Sequence, residues 1–438
     1  MLHSVKISRE ACQGCVNCIK ICPTEAIRIV DGEINIISEL CIDCGECLRS
    51  CSRQALGIQG DDWNKIKEAP KVTLLPDPVF YSQFSHYMDP SALESVVSSF
   101  GYEMMTEEME EAFDLSAYAC AQAISHSPRQ SLPLISCYCS STLRFIQSRF
   151  PELLPRVVPV CSPLELAADL LRMRTNSSAP ITLLSPCPAK ITMIKDPQGR
   201  ERSPIDNAVE LRRVARSIMA SNASPQPETD ARERSNRWLH WARRGGEARH
   251  IQAFSDRKLT MLAVSGLRNT IDVLQELELG RLRNVDFIEC RICDTGCVGG
   301  TGTAESRFLA NLRINSINVD WNVTENDVQR AERLYAMDFW AIEKEYTARP
   351  HLPLSDNIGE AMAKLQQMKE IYSCLPHIDC GSCGRPSCQA MAEEIVRGHG
   401  SVTDCIFKLR EGIATLANRI VVMSESQPQT LKIRGETK

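Results

Sequence analysis

The sequence predicts a parallel α/β protein with a small iron-sulfur module at each end, and three observations carry that reading. Short apolar runs bounded by Pro, Gly, Ser or Asp recur at residues 72–75, 132–135, 181–184, 259–264 and 285–288, with helical stretches between them. Buried strands alternating with helices argue for parallel sheets covered by helices. Two copies of a C-x2-C-x2-C-x3-C run open the chain, and a C-x2-C-x4-C run followed by one more cysteine lies near its end. A polar, proline-containing stretch at 221–236 reads as a surface loop that divides the α/β portion into two lobes. At 438 residues, the chain exceeds what one hydrophobic core usually organises.

Taken in order, the first run supplies Cys12, Cys15, Cys18 and Cys22-Pro23, and the second Cys41, Cys44, Cys47 and Cys51. In such pairs the fourth thiolate of each run ligates the other cluster. One 4Fe-4S cluster is therefore expected on Cys12, Cys15, Cys18 and Cys51, and another on Cys41, Cys44, Cys47 and Cys22. Between the runs, Ile27 and Ile29 face Ile34 and Ile36 across Asp31-Gly32-Glu33, the alternation of a short hairpin. Residues 60–70 read as a linker. Cys139, Cys187 and the pair Cys293 and Cys297 then follow three of the predicted strands. Functional groups gather at the carboxyl ends of parallel strands, so three strand ends are expected to converge on one cluster. Finally Cys380, Cys383, Cys388 and Cys405 offer four thiolates suited to a tetrahedral iron-sulfur or zinc site.

Composition narrows the partners. A formal net charge of −5 with 24% charged residues gives no electrostatic case for nucleic acid or an anionic membrane. The opening MLHSVKISREACQGC lacks an apolar signal region, and no apolar run reaches the roughly 18 residues of a spanning helix. The reading is a cytoplasmic protein without a membrane span, its 21 cysteines kept reduced as metal ligands. Cys120, Cys161, Cys290 and Cys374 are left over and read as buried small side chains, with Cys290 close enough to Cys293 to merit checking as a ligand. The Arg-rich stretch 232–249, with Trp238 and Trp241, reads as a solvated face of snorkelling arginines, or as a docking patch for an acidic electron partner. Ile406, Leu409, Ile413, Leu416, Ile420 and Met423 recur at alternating three- and four-residue spacing. That is the seam of a two-stranded coil, able to pair two chains into a homodimer through 406–423, or else the face of a helix lying on its own protein. Gly412 weakens either helix.

At these residues the chain resembles the FeFe hydrogenase family (iron hydrogenase large subunit), in its sensory branch with an extra C-terminal 4Fe-4S domain. Ile135-Ser136-Cys137-Tyr138-Cys139, Ser185-Pro186-Cys187-Pro188-Ala189-Lys190 and the segment from Phe287 through Cys293-Asp294-Thr295-Gly296-Cys297-Val298-Gly299-Gly300 carry the resemblance. It implies a two-cluster ferredoxin-like domain at 1–60, a two-lobed hydrogenase-like domain at 61–372 with its cluster between the lobes, a 4Fe-4S domain at 373–407, and a helix with a flexible tail at 408–438. It implies four 4Fe-4S clusters, the central one on Cys139, Cys187, Cys293 and Cys297. It further implies a two-iron unit bearing CO, cyanide and a dithiolate amine, bridged by Cys297. The substrates would be H2 and protons, with a ferredoxin, flavoprotein or signalling protein as partner. Lys190 would set its ammonium against a cyanide, Ser185 and Pro186 would wall the same ligand, and Gly296, Gly299 and Gly300 would bring backbone and N–H donors to the cluster.

Three positions depart from the family's turnover enzymes. Tyr138 stands where they have a relay cysteine, and a phenol titrates near 10 against roughly 8.5 for a thiol. Met193 replaces the next acid of the proton path, leaving Cys137 as a substitute relay. Arg291 replaces a methionine beside the two-iron unit, and a charge pointing inward there would stabilise reduced states. The expectation is reversible H2 chemistry at slow turnover, suited to sensing hydrogen or redox state. Its alternative is a non-catalytic redox sensor or electron relay without the two-iron unit.

Overall fold

The computed structural model describes residues 3–84, 90–175, 178–221, 234–349 and 353–425. It divides into two compact units, one of residues 1–8 with 38–350, the other of 9–37 with 351–438. Among the described residues the strands are β1 (Val5–Ile7), β2 (Ile27–Val30), β3 (Glu33–Ile36), β4 (Leu56–Ile58), β5 (Val72–Pro76), β6 (Tyr102–Met104), β7 (Leu134–Ile135), β8 (Ile181–Ser185), β9 (Asn207–Glu210), β10 (Met261–Ser265) and β11 (Phe287–Arg291).

In the larger unit two parallel sheets form the two lobes, one ordered β6-β5-β8-β9 and the other β10-β11-β7, beside a small antiparallel pair of β1 and β4. Strands β5, β8 and β11 are buried along their whole length, as continuous apolar runs between helical layers should be. The expected strand at 132–135 shortens to β7 because Pro133 has no N–H, and the ladder starts with Leu134 N–H on the Asp286 carbonyl at 3.0 Å. The expected linker at 60–70 is instead packed structure. Asp61 exchanges two 2.8 Å hydrogen bonds with Ala208 of edge strand β9, and Trp63 is buried edge-on against Tyr102.

The Arg-rich stretch is corrected in part: Arg244 and Arg249 are exposed, as a solvated face requires, but its centre is buried. Arg237 is 1% exposed and pairs with Asp114 at 3.1 Å, while Trp238 and Trp241 lie in the core. Residues 222–233 of the expected inter-lobe loop, Arg232 among them, lie outside the described residues.

The smaller unit contains the hairpin of β2 and β3, with Asp31 and Gly32 both at positive φ as a two-residue turn requires. It also carries the helices Ile358–Cys374, Cys388–Val396 and Ile406–Glu425. The coil seam on the last of these is open, from Ile406 at 40% to Met423 at 73% exposed, so the helix is not laid on its own protein. Residues 426–438 of the tail lie outside the described residues. Among those described, no helix is long and apolar enough to cross a membrane.

Candidate iron-sulfur centres

Cysteines begin where the strands end. Cys139 follows β7 and starts the helix Ser140–Arg149, Cys187 follows β8 and starts the helix Pro188–Lys195, and Cys293 and Cys297 follow β11. All four line one buried pocket, together with Cys44, Pro186, Lys190, Arg291 and Gly300. Burial pushes the Cys297 thiol up to about 12, with Lys190 and Arg291 pulling it back. Iron binding would displace that proton and leave a thiolate ligand. Cys290 lies in β11 with the apolar layer of Ile135, Ile146 and Ile288, and does not line this pocket. Among the described residues, no three His, Cys, Asp or Glu are gathered to hold a single metal ion.

The loop that carries Cys41, Cys44 and Cys47 is locked onto the same pocket. Asp43, wholly buried, accepts from Arg144 at 3.1 Å, Thr192 Oγ1 at 2.8 Å and the Ser4 N–H at 2.9 Å. Arg144 and Thr192 sit on the helices that follow Cys139 and Cys187, so one carboxylate fixes the loop to both cysteine-bearing elements. Arg49 reaches further, donating to Cys293 Sγ at 3.4 Å and to the Gly299 carbonyl.

Beside Cys297 stands a charged group that single positions in the sequence did not reveal. Lys190 Nζ lies 2.5 Å from Asp77 Oδ2 and 4.0 Å above the ring of Tyr138. The Arg291 guanidinium lies 4.5 Å from the same ring, and pairs with Glu247 at 2.7 Å and Ser136 Oγ at 3.2 Å. Tyr138, 1% exposed, packs edge-on against Phe113 and Trp241. Burial works against the Lys190 charge, but Asp77 and the acidic groups around it hold its pKa well above the lysine range. Burial pushes Glu247 up to about 7, with Arg291 opposing. Asp77 was legible in principle: it follows β5 as Cys187 follows β8, and strand ends were already the place to look.

Other predicted site residues are placed as follows. Cys137 donates to the Val160 carbonyl at 3.1 Å and does not line the pocket. Met193 accepts from Ser140 Oγ at 3.3 Å. Ser185 Oγ donates to the Cys187 carbonyl at 2.8 Å. The N–H groups of Gly296, Gly299 and Gly300 donate to the carbonyls of Cys293, Gly296 and Cys297, so they build the turn. Gly300 is needed for loop-on-loop contact: a Cβ there would lie 2.5 Å from the Pro186 carbonyl oxygen.

In the smaller unit Cys380, Cys383, Cys388 and Cys405 line a second pocket with Asp379, Arg385 and Met391. Arg385, 6% exposed, donates to the carbonyls of Cys383 and His399 at 2.7 Å and to Asp404 at 2.8 Å. The Cys388 N–H is held by Asp379 at 2.6 Å. Hydrogen bonds from Ser382 keep the Cys380 thiol below its usual pKa. Cys374, expected to be buried, is exposed at the end of its helix.

The family model for the iron-only hydrogenase large subunit, C-terminal domain, matches residues 71–301, more than half of the chain. The chain belongs to the iron-only hydrogenase large-subunit family. A 4Fe-4S dicluster domain matches residues 4–52 and an Fe-S cluster domain residues 375–407, so the hydrogenase portion is flanked by iron-sulfur modules on both sides. No curated protein matches. Three solved structures are similar. One is an FeFe-hydrogenase described through oxygen inactivation by modification and degradation of the two-iron subcluster, at 14% identity and TM-score 0.45, covering 65% of this chain and 97% of that one. Another is HydA1 from Chlamydomonas reinhardtii in a glutamate-to-alanine variant, at 12% and 0.46 with the same coverage. The third, HydA(deltaEFG), described through stepwise H-cluster assembly, stands at 11% and 0.45, covering 66% and 97%.

Proposed function

We propose that this family member is an iron-sulfur electron-transfer protein, a redox sensor or relay, that assembles four 4Fe-4S clusters and leaves the hydrogen-splitting two-iron unit unbuilt. The donor sets suit four-iron clusters: one on Cys139, Cys187, Cys293 and Cys297, one on Cys380, Cys383, Cys388 and Cys405, and two on the N-terminal runs. Such clusters supply one-electron storage and transfer.

The ring of Tyr138 carries the reading. The resemblance sets Lys190 and the Arg291 position on the flanks of a two-iron unit bridged by Cys297. Here both cations lie against a phenol ring, Lys190 Nζ at 4.0 Å and the Arg291 guanidinium at 4.5 Å from its centre, and the lysine that should meet a cyanide has Asp77 as its partner. These residues fit the four-iron cluster and not the two-iron unit. With each cation neutralised by its own carboxylate, what this chain's residues do is hold the central cluster in a dry site, fixed against the loop of Cys44. Output would pass through a ferredoxin, flavoprotein or signalling partner, or through pairing of two chains along the open seam of Ile406–Glu425.

Slow H2 turnover is the second reading. The complete central thiol set favours it, as does Tyr138 Oη, which is buried without a hydrogen-bond partner that a ligand of the two-iron unit would supply. Iron analysis of protein matured alongside the two-iron assembly machinery, paired with a dye-linked H2 assay, separates the readings. About 16 irons per chain and no dye reduction are expected, whereas roughly two more irons with dye reduction would overturn the proposal.

A further inference from the structure

Within the smaller unit, the segments 9–37 and 351–438 meet through their cysteine loops. Gly384, next to Cys383, accepts a 2.8 Å hydrogen bond from the Ile29 N–H, and a Cβ on Gly384 would lie 2.2 Å from the Ile29 carbonyl oxygen. Ser387, next to Cys388, donates to Glu25 Oε2 at 3.4 Å, in the turn that follows Cys22. Gly381, next to Cys380, approaches the stretch between Cys15 and Cys22: a Cβ there would lie 3.5 Å from Lys20 Cε and 3.8 Å from the Val16 Cβ. The contact is pinned by Arg28 and Glu394 at 3.3 Å, with side chains 6% and 12% exposed. Losing either partner of a pair this buried would leave an uncompensated charge, so the pair holds one arrangement.

We propose that the C-terminal cluster exchanges electrons directly with the N-terminal cluster held by Cys12, Cys15 and Cys18, making the C-terminal module a redox port of the chain. In each exchange one 4Fe-4S cluster is oxidised by one electron and the other reduced by one. No bond forms or breaks and no proton moves. Of three cysteine-adjacent residues of one module, Gly381 approaches the cysteine-bearing stretch of the other and Gly384 and Ser387 meet Ile29 and Glu25 just beyond it, so the electron crosses between ligand-bearing segments packed against each other. A domain recruited only for stability would have no need to present its ligand loop to another ligand loop.

The test is electron paramagnetic resonance of the full-length protein reduced with dithionite, read beside the iron content of the same sample. Wild type should show a broadened spectrum with several-fold faster relaxation, from spin coupling between the two reduced clusters. Cys388→Ala, which removes a C-terminal ligand, should lose about four irons and with them the broadening. Gly384→Val should keep the iron and lose most of the broadening, because the new side chain forces the loops apart. If that substitution disturbs the loop, Glu394→Arg separates the modules by charge opposition to Arg28 without touching the loop. The proposal is overturned by a wild-type spectrum that is the sum of isolated clusters at full iron content, by broadening unchanged in both interface variants, or by wild-type protein lacking the C-terminal cluster's iron.

Discussion

The central pocket gathers five cysteines, Cys44 among them, and the C-terminal pocket four, but their buried cations do different work. Around the C-terminal pocket, Arg385 ties two backbone carbonyls and Asp404 together, so the loop that presents Cys383 takes its shape from that guanidinium. Around the central pocket, the cysteines are already delivered by strand ends, and Lys190 and Arg291 meet Asp77, Glu247 and the face of Tyr138. A pocket made of loop depends on its charge to exist. One made of sheet edges keeps its shape and has its electrostatics set by the charges beside it.

Arg385→Ala should therefore give the largest effect, loss of the C-terminal cluster and about four irons per chain, while Arg291→Met should keep the full iron content. Iron and sulfide analysis reads both. Next in size, Asp77→Leu leaves the Lys190 ammonium buried without a partner and should cost about 3–5 kcal/mol. The double variant with Lys190→Met should recover most of that loss, as anaerobic thermal unfolding would report. Arg49→Gln removes a cation that touches Cys293 Sγ, and a cation there favours the more negative reduced cluster. Its loss should lower the central cluster's potential by tens of millivolts in a redox titration, and leave the C-terminal cluster unmoved.

The smallest expected effect is a pH dependence from Glu165, which burial pushes up to about 7. A carboxyl raised in the folded state binds its proton more tightly there than in the unfolded chain. Its contribution is thus present below the unfolded value near 4.5, and declines as pH rises through about 7. Glu165→Gln should gain stability on wild type between pH 5 and 8, by at most on the order of 3 kcal/mol.

Much of this architecture was legible because iron ligands and buried strands leave local signatures. The spacing of Cys12 to Cys51, the apolar runs at β5, β8 and β11, and the cysteines that follow β7, β8 and β11 are patterns of neighbours in sequence. Strands β6 and β9 were not foreseen, since YEM and NAVE are too short and too mixed to stand out. Residues 60–70 looked like a linker because their composition is polar, although Trp63 and the hydrogen bonds of Asp61 anchor them. Arg237 looked solvent-facing because the acids it pairs with, Asp114 and Asp327, lie far from it in the chain. Tyr138, Lys190 and Arg291 were each singled out. That Lys190 and Arg291 both lie against the Tyr138 ring, paired with Asp77 and Glu247, is a tertiary fact, and no spacing rule reaches it.

The most direct measurement of the central claim is infrared spectroscopy of anaerobic, cluster-replete protein after incubation with a synthetic two-iron cofactor. With Lys190 and Arg291 both against the Tyr138 ring and the ammonium held by Asp77, no bound CO or cyanide stretches should appear, whereas the pair of substitutions Tyr138→Cys and Asp77→Ala should open the site to them. Intense CO and cyanide bands in the unaltered protein would contradict the account.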